Sequence, residues 1–220
     1  VGQLCPQVID RSVIQNDIAV MSVQIPTIHD AEDEWMCNVK LNTAILALGH
    51  RGGGPVHINL TTTYCNDFSI KQLPGFRVIY RVKMSDEFPV INADKVGIFV
   101  GAHAEWSEKL TCMIDAFCEA YNGVVFCDHT SNYHGKYRIQ YNLVCGQVQY
   151  RNEVSKMGLL IDMGEISGAY MGFDSPTVWR VNPDGQIRDT FHKLSFVFDM
   201  EEVDFFEHYA LKGDRTVTRT

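Results

Sequence analysis

No block of Lys or Arg runs through this chain: 19 basic residues are scattered among 27 acidic ones, giving a formal charge of −8. A phosphate backbone needs a basic stripe to follow it, so nucleic acid is not an expected partner. No apolar run approaches the roughly 20 residues that cross a bilayer. The first residues also lack the basic start, apolar middle and small-residue cleavage site of a secretory signal. A soluble, cytoplasmic protein with no membrane partner is therefore expected. The seven cysteines (Cys5, Cys37, Cys65, Cys112, Cys118, Cys127 and Cys145) form no CxxC pair. Their odd number and the apolar neighbours of several suit reduced thiols acting as small core side chains. No GxGxxG follows a strand, so the dinucleotide fingerprint is missing too.

What is present is a globular composition. Hydrophobic residues make up 45% of 220, enough to fill the core of one large domain or about two small ones. Residues 36–48, "MCNVKLNTAILAL", place Val39, Leu41, Ala44, Ile45 and Leu48 at helical spacing. That helix is expected to stop at Gly49. His50 and Arg51 then supply positive charge at its C-terminus, and Gly52 to Gly54 supply a tight turn into the strand "VHINL". Residues 61–94 are less periodic, and only "FRVIYRV" (76–82) alternates like a strand.

From residue 95 the rhythm becomes regular. Continuous apolar runs at 95–101, 123–128, 156–164, 176–182 and 193–200 read as buried strands. A helix is expected over 103–122, with Trp106, Leu110, Met113, Ile114, Phe117 and Tyr121 on one face, and a short one at "EEVDFFEHYA". The pattern implies an α/β fold, a doubly wound and mostly parallel sheet with helices on both faces, preceded by a partial α/β domain.

Several of these segments together resemble a known family. "GGGPVHINL" is similar to the close of the pyrimidine-binding domain of thiamine diphosphate-dependent enzymes, and "CPQVIDR" (5–11) to an earlier Gln-containing segment of that domain. The run from "KVGIFVG" through "VVFCDHTSNYHG", "GLLIDMGEISG" and "VWRVNPDGQIRDTF" resembles the middle domain of the same superfamily. The nearest branch is that of the menaquinone-pathway synthase joining 2-oxoglutarate to isochorismate; acetolactate synthases and 2-oxo acid decarboxylases lie further off. The resemblance implies residues 1–66 as the C-terminal part of the pyrimidine-binding domain, 67–94 as a linker and 95–212 as the middle domain. Residues 213–220 would begin a linker to a diphosphate-binding domain.

The chain contains no Gly-Asp-Gly and no Asn-Asn, the elements with which that family holds diphosphate and Mg²⁺. The nearest fragments are Lys212-Gly213-Asp214-Arg215 and Pro183-Asp184-Gly185. Thiamine diphosphate and Mg²⁺ are therefore expected in a longer parent, with none bound by this chain alone. The expected partners are the remaining N- and C-terminal domains of the same polypeptide, in a homodimer or homotetramer.

Local candidates follow. Gln7 matches the family's Gln position, and its amide both donates and accepts, which suits contact with cofactor or substrate; an exposed loop Gln is the alternative. Cys127, His129 and His134 have the spacing Cys-x-His-x4-His but no fourth ligand, so no metal is expected. Asp128, His129 and Ser131 hold triad residue types, yet residues adjacent in sequence seldom meet in triad geometry. The loop "DHTSNYHG" leaves a strand's carboxyl end, the edge from which open parallel sheets present ligands. Asn132 and Tyr133 are its candidates to line substrate, with His129 and Ser131 shaping the turn; plain capping by Asp, Thr, Ser and Asn is the alternative. No catalytic residue is expected here. Two functions remain open: part of an enzyme acting on a 2-oxo acid, or a binding module for a nucleotide or feedback metabolite.

Overall fold

The computed structural model describes residues 18–62, 64–72, 75–141, 153–168 and 172–213. The chain divides between Val78 and Ile79 into two compact units.

The described part of the first unit is one βαβ crossover. Strand β1 (Met21–Ile25) pairs in parallel with β2 (Val56–Leu60), and helix α1 (Ala31–Ala47) connects them. The expected strand "VHINL" is present at the expected residues, whereas α1 starts five residues before the expected Met36. Asp30 explains the early start: its carboxylate accepts the backbone N–H of Glu32 and Asp33, and Glu32, Asp33 and Glu34 put negative charge on the first turn. The helix ends at Ala47 with Leu48 as its cap, before the expected Gly49. The turn itself lies at Arg51, Gly52 and Gly53, all with positive φ. A Cβ on Gly53 would sit 2.1 Å from the Leu48 carbonyl oxygen, so only glycine closes this turn. The interior is small: Val23, Ile25, Cys37 and Ala44, flanked by Met21, Leu41 and Val56.

The second unit is built on a seven-stranded, all-parallel sheet. Its strands are β3 (Tyr80–Val82), β4 (Val96–Val100), β5 (Gly123–Cys127), β6 (Arg138–Gln140), β7 (Leu159–Met163), β8 (Val178–Val181) and β9 (Leu194–Phe198). Their spatial order is β3-β9-β8-β7-β4-β5-β6. The chain moves outward from β4 through β5 to β6, then returns to the other side of β4 for β7 to β9. This is the doubly wound α/β arrangement that the apolar runs imply. The expected strand at 76–82 is only three residues long and forms the sheet edge against β9.

Helix α2 (Glu108–Ala120) and helix α3 (Glu202–Lys212) pack against each other on one face of the sheet, where Phe117 meets Phe205 and Phe206. Ser107 caps α2 through the Leu110 N–H, so the helix starts well after His103. His103 and Trp106, expected as helical, instead reach across the loop. Trp106 Nε1 donates to the Ser131 carbonyl, and His103 Nε2 lies 2.8 Å from Glu202 Oε2. On the opposite face, among the described residues, Phe99 and Phe126 pack on Phe173, Phe191 and Tyr141. Among the described residues, no helix is long and apolar enough to cross a membrane.

Candidate functional site

In the five central strands, Asp162 on β7 and Arg180 on β8 are the charged residues, and strand register brings them together. Phe99 of β4 is the partner of Asp162, and Asp162 is the partner of Arg180. The three side chains thus form a row across adjacent strands, on the face away from α2 and α3. Arg180 Nη1 donates to Asp162 Oδ2 at 2.6 Å, and Nη2 donates to the Gly164 carbonyl at 2.8 Å. Both partners are buried. Burial pushes the Asp162 carboxyl up to about 6, against the opposing pull of Arg180.

This row lines a cavity of about 360 Å³, together with Glu165, Ile166, Ser167, Arg188 and Thr190. The volume falls within the roughly 300–1,000 Å³ of small-molecule pockets. Its position is the carboxyl end of β4, β7 and β8, beside the β4/β7 boundary where the winding reverses, which is where open α/β sheets bind ligands. The β4 and β7 ends approach closely there: Glu165 N–H donates to the Ala102 carbonyl at 2.7 Å, and a Cβ on Gly101 would lie 1.8 Å from the Glu165 carbonyl oxygen. Gly164, with φ of +75°, makes the turn out of β7. These contacts account for Gly164 as a turn residue and Gly101 as a close-approach residue. Arg188 forks onto Asp184, with Nη1 3.0 Å from Oδ1 and Nη2 2.5 Å from Oδ2.

The loop after β5 meets this cavity through Asp128. One carboxylate oxygen of Asp128 accepts the N–H and hydroxyl of Thr130 and the N–H of Ser131; the other accepts the Ser167 hydroxyl from the cavity wall. Ser131 Oγ accepts the Asp128 N–H at 2.8 Å and lies 2.6 Å from the Val100 carbonyl, to which it donates. The ends of β4, β5 and β7 are thereby tied at one buried carboxylate. Burial alone would raise the Asp128 pKa, but the bonds from Ser167, Thr130 and Ser131 outweigh it and hold the carboxyl below its usual value.

Each residue singled out in the loop has a definite place. His129 and Asn132 are exposed, and Asn132 adopts positive φ. Ser131 is fully buried in the network above. Tyr133 lies in the core on Trp106 and donates its hydroxyl to Asp115. A Cβ on Gly135 would strike that hydroxyl oxygen at 2.0 Å, which accounts for the glycine two residues on. Cys127 is buried and its thiol is pushed up to about 12 by desolvation, while His129 and His134 are exposed. Among the described residues, no three His, Cys, Asp or Glu side chains form a cluster able to hold a metal. Gln7 lies outside the described residues.

Sequence reasoning passed over Asp162, Arg180 and Arg188. A signal was available for the first two, since a charge inside an otherwise apolar buried strand needs a partner.

No family model matches the chain. It is 42% identical over 82 residues to a protein named 2-succinyl-5-enolpyruvyl-6-hydroxy-3-cyclohexene-1-carboxylate synthase from Phocaeicola vulgatus, a match covering 37% of this chain and 15% of that one. Proteins of the same name from Bacteroides fragilis and Bacteroides thetaiotaomicron are 40% and 38% identical over 82 residues, with the same coverage. The match thus spans about 15% of the length of the curated relatives. Over that stretch, the chain is similar to an enzyme family of synthases.

Proposed function

We propose that this chain is part of a thiamine diphosphate-dependent enzyme that acts on a 2-oxo acid by decarboxylation, carbon–carbon bond formation or both. The similarity to synthases of one name, at about 40% identity over 82 residues, carries the reading. The doubly wound unit, read as the family's middle domain, supports it. In the parent, the cofactor supplies a carbanion-stabilising ylid and the protein supplies orientation. The other domains of the polypeptide and a second copy of it, as homodimer or homotetramer, are the proposed partners, in the cytoplasm.

The residues described here do not fit the cofactor's diphosphate and Mg²⁺. Of the two fragments nearest to Gly-Asp-Gly, Asp214 lies outside the described residues. In the other, Asp184 is engaged by Arg188, and a Cβ on Gly185 would lie 2.6 Å from the Asp199 carboxyl carbon. Accordingly, we assign this chain no catalytic step. We propose a supporting role for it, with exposed His129 and Asn132 lining the substrate's approach and Ser131 and Tyr133 holding their loop.

Two measurements test this. The full-length gene product should consume a 2-oxo acid only when thiamine diphosphate and Mg²⁺ are added; consumption independent of both rejects the enzyme reading. The 220-residue chain alone should give no calorimetric signal with the cofactor and Mg²⁺, and saturable micromolar binding overturns the supporting role.

A further inference from the structure

We propose that the cavity at the carboxyl ends of β4, β7 and β8 binds a small organic oxyanion, a carboxylate or phosphate carried on an apolar body, through Arg180 and Arg188. The inference does not rest on the thiamine diphosphate reading; it stands on the cavity alone.

The first argument is the cost of the floor. A guanidinium and a carboxylate taken out of water lose several kcal/mol of hydration each, and their attraction offsets this only where further hydrogen bonds satisfy the remaining groups. Packed apolar side chains would fill the same row at no such cost, as Phe126, Phe99 and Val197 do on the neighbouring strands. A buried Asp–Arg pair at the winding reversal therefore calls for a reason beyond packing.

The second argument is the donors left over. A guanidinium carries five N–H groups and no acceptor. Asp162 and the Gly164 carbonyl each take one from Arg180, and its Nε is buried without a hydrogen-bond partner. An unsatisfied buried donor costs about 1–3 kcal/mol, and the two bonds leave one further N–H on each Nη of Arg180 for an acceptor oxygen in the cavity that this residue lines. Arg188, on the same cavity, is partly exposed and extends the donor surface toward solvent.

The third argument is the balance of charge and surface. The Asp162 carboxylate is already opposed by Arg180, and Glu165 is exposed at the rim, where water and salt screen it. The Ser167 hydroxyl is engaged by Asp128. What the cavity offers is N–H donors beside the apolar surfaces of Phe99 and Ile166. An oxyanion on a small hydrocarbon or aromatic body matches both.

The test is calorimetry and thermal shift on the 220-residue chain with four separate probes: succinate, benzoate, inorganic phosphate and adenosine 5′-monophosphate, with glycerol as neutral control. At least one anion should bind with 1:1 stoichiometry and a Kd below about 1 mM. Carboxylate binding without phosphate binding, or the reverse, assigns the source of the oxyanion. Arg188→Gln removes only a partly exposed ion pair, so the ligand-free Tm should stay within a few degrees while affinity falls about tenfold. Arg180→Lys keeps the charge but loses the planar fork, and should weaken binding further. The proposal is overturned if no probe binds saturably, if glycerol binds as well as the anions, or if binding survives Arg188→Gln unchanged.

Discussion

The two units use the same βαβ grammar to very different effect. In the second, β4, β7 and β8 are buried end to end and β5 and β9 over most of their length, and α2 and α3 cover one face with Phe117, Phe205, Phe206 and Tyr209. In the first, among the described residues, two strands and one helix enclose a cluster of four buried apolar side chains, while Ile18, Val20, Ile45, Leu48 and Leu60 stay exposed. A two-stranded sheet is marginal by itself, because too little apolar surface leaves water to offset the entropy of ordering the chain. Among the described residues, strand count, more than helix quality, separates the two units.

The largest expected contrast comes from truncating each interior. Phe117→Ala should destabilise the second unit by about 3–5 kcal/mol, read from denaturant unfolding, because it empties an aromatic cluster that cannot collapse. Leu60→Ala in the first unit should cost no more than about 0.5 kcal/mol, since the side chain is already 61% exposed. Equal losses at the two sites would erase the distinction.

Nearly as large is the effect of opening the buried ion pair. Asp162→Ala leaves Arg180 charged, buried and missing a partner, and should cost about 3–5 kcal/mol. A loss under about 1 kcal/mol would mean that water reaches the guanidinium.

Helix capping sharpens the comparison at the next level down. Asp30→Ala and Ser107→Ala each remove a cap worth about 1 kcal/mol. In the first unit that loss should accelerate hydrogen exchange through β1, α1 and β2 together. In the second it should be confined to the first turn of α2, with β4 and β5 amides unmoved.

Within the second unit, Tyr133→Phe should cost about 0.5–1.5 kcal/mol by removing the bond to Asp115. The subtlest effect concerns His103. Burial pulls its pKa down, but the Glu202 carboxylate and the Ala104 carbonyl facing its two ring nitrogens outweigh that and raise it above 6.5. The folded state then holds the proton more tightly than the unfolded chain. Its stabilisation is complete below pH 6.5 and lost as pH rises through the raised value, so Tm should fall by a few degrees on alkaline titration. His103→Gln should flatten that slope, and an unchanged slope would assign it to other groups.

How much of this was legible in the sequence follows from the range of each interaction. Strands β4, β5, β7, β8 and β9 stand out because burial on both faces leaves nearly unbroken apolar runs. Strand β1, "MSVQI", alternates polar with apolar residues, and strand β6, "RIQ", is three residues long and mostly polar, so neither has such a run. The starts of α1 and α2 were readable from Asp30 and Ser107, residue types that cap helices. The cavity was not readable, because Asp162 and Arg180 are 18 residues apart and meet only through the pairing of β7 with β8. The inward turn of Tyr133 depends on Asp115 from another element, and no local pattern encodes it.

The row of Phe99, Asp162 and Arg180 also answers a problem that such a sheet creates for itself. Strands made almost wholly of Val, Ile, Leu and Phe are interchangeable when slid past one another, since each one-residue slip still presents apolar side chains to both faces. Sliding β7 by one residue would carry the Asp162 carboxylate to the helix-covered face, among Phe117 and Phe205, and strand Arg180 on the other. A lone charge in such surroundings costs several kcal/mol. Two charged residues thus act as a ratchet tooth in an otherwise smooth stack, admitting one alignment of β7 with β8 and making its neighbours expensive.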